Sequence, residues 1–180
     1  MTYVAPLPRE AITDPEMLDL MAQAEALGVP DDLFPRIAAR APEQAKPFMR
    51  ALLMSHAEGN VDHRLKEVIR ILLARFAGDR YFAALRSHKA RAMGLNEERI
   101  EAGCSDYEDS GLFTEAEKCA LRYADQMYLD ASKVDAAFYA ELKTHFSEPQ
   151  IMELGAFIAF HYGMQMFMRS IGATAPRSPR

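Results

Sequence analysis

The sequence predicts an all-α fold, a bundle of helices. Helix caps recur along the chain, apolar residues repeat at helical spacing, and the alternating pattern of a strand is nearly absent. The length of 180 residues suits one domain, with or without an N-terminal extension. We therefore expect one helical core preceded by a helical arm.

The arm is predicted over residues 1–60. Asp14 followed by Pro15 is a typical helix start, and Gly28 ends the helix that begins there. The prolines that follow divide the next segment into shorter helices, the last of which ends at Gly59. The predicted core covers residues 61–172, and the proline-containing segment 173–180 is predicted to be a disordered tail.

The first long helix of the core is predicted from its cap and its apolar stripe. Asp62 caps a helix that runs through Ala77 and breaks at Gly78. Its apolar side chains repeat at helical spacing, which predicts one buried face. The next helix is predicted to begin at Asp79 and to continue to Met93.

The remaining helices are predicted mainly from their N-caps. Asn96 is expected to cap a short helix. Thr114 with Glu117 and Ser147 with Gln150 form two capping boxes. They predict long helices that end near residues 130 and 170, with another helix between 132 and 145.

Composition excludes several classes of function. The net charge is −5, and the basic residues are interspersed with acidic ones. The sequence therefore does not predict the basic face that nucleic-acid binding requires. The most apolar segment, 151–168, is interrupted by Glu153 and His161, which favours a buried helix over a membrane span. The two cysteines, Cys104 and Cys119, lack metal-ligand spacing, so a reduced cytoplasmic protein is expected.

Four segments resemble, in order, the carboxymuconolactone decarboxylase and alkylhydroperoxidase D superfamily. They read EVIRILLARFAG, HKARAMGL, FTEAEKCALRYADQM and HFSEPQIMELGAFIAFHYGMQMFMRSIG. The resemblance covers most of residues 61–172 and implies an all-α core. It also implies a homo-oligomer with active sites near the subunit contacts.

The same resemblance places the family's functional positions on this chain. A helix with an inward Glu, here Glu67, precedes a helix that opens with Cys-x-x-Cys-x-x-x-His. The cysteine positions fall on Asp79 and Phe82, and the His position falls on Arg86. Neither Asp nor Phe supplies a thiolate, so thiol peroxidase chemistry is not expected.

Glu67 and Arg86 are the predicted catalytic residues. From the residues alone, Glu67 belongs to a solvated face and pairs with Arg70 or Arg64. The resemblance implies instead that Glu67 points into the active-site cavity and relays protons. Arg86 is either helix-surface charge or a guanidinium that holds an anion. We expect the two side chains to face one cavity.

The predicted substrate-binding residues are Asp79, Tyr81, Phe82, His88 and His161. His88 could equally be a packed histidine bonded to a carbonyl, and His161 either bonds across the core or lines a pocket. No metal site is predicted, because the histidines near Glu67 lack a third ligand at a recognisable spacing. No cofactor is predicted either.

Three functions follow in order of preference. The first is a cofactor-independent decarboxylase, lyase or proton-transfer enzyme that acts on a small anionic organic acid or lactone. The second is an alkylhydroperoxidase-like peroxiredoxin, and the third is a non-catalytic ligand-binding oligomer. The expected partners are the small molecule and further copies of the chain, which bury the apolar segment 151–168 in part.

Overall fold

The computed structural model describes residues 2–174, and in this range the chain forms helices and no strand. The predicted all-α fold class is confirmed. Residues 175–180, most of the predicted disordered tail, lie outside the described residues.

The helices follow one another in a simple order along the chain. They are α1 (Pro15–Leu27), α2 (Leu33–Ala38), α3 (Pro42–Ala57), α4 (His63–Ala77), α5 (Arg80–Ala84), α6 (His88–Ala92), α7 (Glu97–Gly103), α8 (Glu115–Leu129), α9 (Ala136–His145) and α10 (Glu148–Ser170). Two short 3-10 turns, Arg9–Ala11 and Ala131–Lys133, complete the set. No helix in the described part of the chain has the length and hydropathy of a membrane span.

The predicted caps hold the ends of these helices. The Asp14 carboxylate accepts a hydrogen bond of 2.9 Å from the backbone N–H of Met17. Gly28 ends α1 in the left-handed conformation, with φ of 80°, which favours glycine. Both predicted capping boxes are present, at Thr114 and at Ser147.

Helix α4 is the centre of the molecule. Twelve of its fifteen residues are buried, including those on the face that carries His63, Glu67 and Arg70. This face is therefore not solvated, contrary to what the residues alone suggest. One apolar cluster packs α4 against α7, α8 and α10, and a second joins α1, α2 and α3 to the end of α10.

The predicted helix from Asp79 to Met93 is wrong in one respect, because it is two helices. Helix α5 ends at Ala84, and Leu85 and Ser87 adopt extended backbone conformations with ψ of 153° and 123°. The Ser87 hydroxyl then caps α6 by accepting a bond of 3.2 Å from the N–H of Ala90. The break places Arg86 between the two helices rather than on the helix that Asp79 caps.

Candidate active site

A fully buried ion pair forms the base of the candidate site. Glu67 and Arg70 lie one turn apart on α4, and both side chains are 0% exposed. Two parallel hydrogen bonds join them, from Arg70 Nε to Glu67 Oε2 and from Nη2 to Oε1, each of 2.8 Å. This is the two-pronged geometry that fixes both groups most firmly.

The same pair explains why the α5–α6 segment is broken. Arg70 donates to the backbone carbonyls of Phe82 at 2.5 Å and Leu85 at 2.8 Å. Glu67 Oε1 accepts the Ser87 N–H at 2.7 Å. In one continuous helix these backbone groups would bond to partners four residues away. Arg70 and Glu67 satisfy them instead, so the chain can leave the helix here without losing buried hydrogen bonds.

Three buried histidines continue the polar cluster away from the ion pair. His63 Nε2 lies 2.7 Å from Ser87 Oγ, so His63 and Glu67 hold the same serine by its side chain and its backbone. The His56 ring stands edge-on to His63 and His161, at centroid distances of 5.7 and 4.8 Å. The cluster therefore runs from α10 through α3 to α4 and the start of α6.

The surroundings keep these imidazoles neutral. Burial, followed by the charge of Arg70, holds the pKa of His56 well below its ordinary value. Burial and the neighbouring His56 do the same to the pKa of His161, and burial lowers the pKa of His63. A neutral imidazole has one donor and one acceptor nitrogen, so it can donate one hydrogen bond and accept another.

Several of these nitrogens have no hydrogen-bond partner within residues 2–174. They are both ring nitrogens of His56 and the Nδ1 atoms of His63 and His161. Buried polar atoms are normally paired with protein, water or ligand. Water or a small polar molecule in the cluster would satisfy these four nitrogens.

A pocket of about 280 Å³ reaches this cluster from the surface. His56 and His63 line it, together with Lys66, Lys89, Met93 and the loop 58–62. Within the described chain, no group of three or more His, Cys, Asp or Glu side chains is arranged to hold a metal ion. Imidazole and ammonium side chains therefore form part of the pocket wall.

Lys66 shapes this pocket by holding its wall. Its ammonium group donates to the carbonyls of Ser55 at 2.9 Å and Glu58 at 2.6 Å, and to Glu153 Oε1 at 2.9 Å. Glu153 also accepts the N–H of Asn60 at 2.7 Å. All three donors of the ammonium group are used, so Lys66 fixes the loop 58–62 rather than acting as a nucleophile.

Three of the predicted binding residues lie buried beside the ion pair but do not line the pocket. Asp79 accepts the N–H groups of Tyr81 and Phe82 as the cap of α5, and burial raises its pKa to about 6. The Tyr81 hydroxyl donates to Asp31 at 2.5 Å. The Phe82 ring lies beneath the Arg70 guanidinium, 6.0 Å away. Of these three side chains, Phe82 contacts the ion pair directly, through the Arg70 guanidinium.

The prediction that Arg86 and Glu67 face one cavity is wrong. The Arg86 guanidinium bonds the Glu97 carboxylate at 2.9 Å and the carbonyls of Ala83 and Leu85. Arg70 takes the place next to Glu67 because it is one helical turn away on the same buried face. His88 is exposed, and its Nδ1 lies 3.1 Å from the Ala26 carbonyl. Of the two alternatives for His88, the structure shows the histidine bonded to a carbonyl. His161 is buried in the histidine cluster.

Sequence reasoning named Arg70 only as a surface partner of Glu67, and it did not place His56, His63 or Ser87 in the site. Arg70 follows Glu67 by three residues, and this spacing on a helix predicts an ion pair. The spacing does not indicate that the ion pair is buried. Ser87 precedes a short helical run and could have been read as an N-cap. His63 shares a helix face with Glu67, and only the packing of α4 shows that this face is inside.

The two cysteines are not placed as a redox pair. Cys119 is in the apolar core, and Cys104 packs against the same core at the end of α7. Burial raises the pKa of Cys104 to about 11 and also raises the pKa of Cys119. Both are therefore protonated thiols near neutral pH, which are poor nucleophiles.

Comparison with solved structures identifies the fold. The debrominase Bmp8 without ligand superposes with a TM-score of 0.79 at 21% identity, over 97% of this chain and 92% of that one. A variant of Bmp8 with cysteine replaced by alanine holds 2,3,4-tribromopyrrole. A peroxidase-related protein from Ralstonia eutropha, described as an alkylhydroperoxidase core, matches with a TM-score of 0.77 at 14% identity, over 97% and 92% of the two chains.

A peroxidase-related protein from Silicibacter also matches, with a TM-score of 0.75 at 13% identity, over 96% of this chain and 92% of that one. No protein-family model matches the sequence, and no curated protein matches it significantly. The chain therefore has the fold of the alkylhydroperoxidase D and carboxymuconolactone decarboxylase superfamily. The resemblance predicted from sequence is confirmed at the level of fold.

Proposed function

We propose that the chain is a cofactor-independent enzyme that moves a proton in a small anionic organic acid or lactone, in a decarboxylation or related lyase step. The observation that carries this proposal is the set of unpaired ring nitrogens of His56 and His63, the two histidines that line one pocket. An imidazole can accept a proton at one ring nitrogen while it donates one from the other, which suits it to general acid–base chemistry.

His63 is the proposed proton carrier. Its Nε2 is fixed by Ser87 at 2.7 Å, while its Nδ1 has no partner among residues 2–174. Glu67, predicted from sequence to move the proton, stays in the proposed site as the group that holds Ser87 and Arg70. Arg70 replaces Arg86 as the partner of Glu67. His56, which lines the same pocket, is the proposed second contact to the substrate.

Charge and size favour a small anion. Two lysines, Lys66 and Lys89, lie in the pocket wall. Two acidic residues, Glu58 and Asp62, also line the pocket, and the Arg64 guanidinium binds Asp62 at 2.8 Å. A carboxylate in the pocket would lie near the positive charges of these two lysines and would accept a hydrogen bond from an imidazole N–H group. We place this activity in the cytoplasm, where the free thiols of the chain stay reduced.

The test is a thermal-shift screen with aromatic and muconate-type acids, followed by product analysis for any acid that binds. His63→Gln keeps a hydrogen-bonding group beside Ser87 but cannot relay a proton, so binding should persist and turnover should stop. His88→Gln is the matched control, because His88 is exposed outside the cluster. Equal turnover in both variants contradicts the role of His63. Binding without any turnover supports the alternative of a non-catalytic ligand-binding protein.

Peroxide reduction is the second candidate, favoured by the peroxidase-related proteins that share the fold. Asp79 and Phe82 at the thiol positions, and the protonated state of both cysteines, argue against it. A peroxidase assay with a thiol reductant decides between the two. Turnover that is lost in Cys119→Ser would establish the redox function and remove the proton-transfer proposal.

We also propose that the chain forms homo-oligomers through the outer face of α10. This face carries exposed apolar side chains, including Met152 at 71% exposure, Tyr162 and Met166. Water contact of such a stripe is unfavourable, and a second copy would remove it. Light scattering should show an oligomer that Met166→Glu weakens, whereas a monomeric wild type at micromolar concentration contradicts this proposal.

A further inference from the structure

We infer that the chain has a second binding site, an apolar cavity that accepts an amphipathic anion with an apolar body and one acidic group. The cavity of about 400 Å³ lies between α2, α3, α10 and the N-terminal segment. It shares no lining residue with the His56–His63 pocket. A ligand in this cavity would therefore bind whether or not the proposed reaction takes place in the pocket.

The walls of the cavity match the ordinary composition of a ligand site. Phe34, Ile37 and Met164 form a buried apolar floor. Phe48 on α3 and Phe167 on α10 stand at the rim, 47% and 48% exposed. Sites for small molecules are mostly apolar clefts of roughly 300–1,000 Å³ with a few oriented polar groups. Two half-exposed phenylalanines facing one cleft favour a flat or acyl body between them.

Arg40 supplies the oriented polar group. Its Nε donates to the carbonyl of Ala5 at 2.6 Å, which anchors the guanidinium at the cavity. Its two Nη atoms have no hydrogen-bond partner among residues 2–174, and the side chain is exposed. No acidic residue of the described chain lines the cavity. A guanidinium with two available N–H groups beside an apolar cleft is complementary to a carboxylate or sulfonate on an apolar body.

Gly163 keeps the cavity open. It lies inside α10, where glycine lowers helix stability relative to residues with a side chain. A Cβ at this position would meet no atom within 4 Å, so packing does not require glycine here. A larger side chain would project into the cavity that Gly163 lines. The position therefore offers a direct way to fill the site without disturbing the core.

The experiment measures fluorescence of two probes on the full chain, the anionic anilinonaphthalene sulfonate and the neutral phenylnaphthylamine. Both should bind the wild type. Gly163→Leu should lose at least about tenfold affinity for both probes, because the side chain occupies the cleft. Arg40→Gln should lose about tenfold for the anionic probe and keep the neutral one, since a charged hydrogen bond is removed. Gly111→Leu is the matched control, since Gly111 is equally open but lies outside the cavity.

Circular dichroism confirms that each variant is helical before binding is measured, and Arg40→Gln serves if Gly163→Leu does not fold. Unchanged binding of both probes by Gly163→Leu overturns the inference, as does an equal loss of both probes in Arg40→Gln. The inference is also overturned if the wild type binds neither probe and forms an oligomer that the Gly163→Leu variant does not form. That result would show that a second copy of the chain covers the cleft.

Discussion

Replacing Glu67 with Gln tests the buried ion pair most directly. The substitution keeps the shape of the side chain and one acceptor oxygen, but it removes the charge opposite Arg70. Arg70 is 0% exposed and would keep only neutral partners, namely the Phe82 and Leu85 carbonyls and the remaining amide oxygen. A guanidinium left in this state is a buried charge without a counter-ion.

The expected cost is large. Removing one partner of a buried pair typically costs about 3–5 kcal/mol. In the Glu67→Gln variant, the Ser87 N–H keeps an acceptor only if the new amide turns its oxygen toward it, which points the amide N–H₂ group at Arg70. We therefore expect Glu67→Gln to lower the free energy of unfolding by about 3 kcal/mol or more.

The assay is urea denaturation followed by far-UV circular dichroism, with an unchanged dependence on urea as the check for two-state unfolding. Glu101→Gln is the matched control, because Glu101 pairs at the surface with Arg75 of the same helix α4, and the two side chains are 62% and 33% exposed. A surface pair contributes about 0–1 kcal/mol. A loss below about 1 kcal/mol for Glu67→Gln would refute the reasoning.

A double-mutant cycle isolates the interaction itself. Arg70→Met removes the other charge, and the double variant leaves neither charge buried. We expect the double variant to be more stable than the sum of the single losses by about 2–3 kcal/mol, since each single variant leaves an unpaired charge. Additive losses would show that the two groups do not depend on each other.

Further outcomes follow from the titrating groups. The pKa of Asp79 is raised to about 6 in the fold, so stability falls as pH rises from about 4 to about 6. Asp79→Asn should be more stable at pH 8 by about 1–3 kcal/mol in the same denaturation assay. The pKa values of His56 and His161 are lowered in the fold. The stability that these two neutral histidines contribute is therefore complete above the ordinary histidine pKa of 6.5 and is lost as the pH falls below it. In the Asp79→Asn background, denaturation between about pH 7 and pH 5 should show this loss, and His56→Leu should reduce it. Replacing both Cys104 and Cys119 with Ser should leave any turnover of an organic acid unchanged, as measured by product formation.

The sequence predicted the fold well because caps and breaks are local signals. Asp14, Gly28, Asp62 and Thr114 each interact with residues a few positions away, so their roles can be read from spacing. The burial of Glu67 was also expected, although only through the resemblance. Local signals offered Arg70 or Arg64 as the partner of Glu67, but they could not show that the pair is buried.

The break between α5 and α6 shows why the rest was not predictable. The spacing from Asp79 to Met93 is compatible with one helix, and no proline or glycine interrupts it before Gly94. The helix breaks because Arg70, twelve residues before Phe82, binds carbonyls that the helix would otherwise use. Such a competition depends on tertiary packing and leaves no pattern in the segment that it disrupts.

This arrangement has a consequence for the history of the protein. Glu67 and Arg70 together bind the backbone of Phe82, Leu85 and Ser87. Replacing either one leaves the other as an unpaired buried charge, and the protein loses much of its stability. Natural selection should therefore rarely accept a single replacement, and related sequences should retain both residues or lose both. Where both are lost, the segment between α5 and α6 should also differ, because its backbone groups would then need other partners.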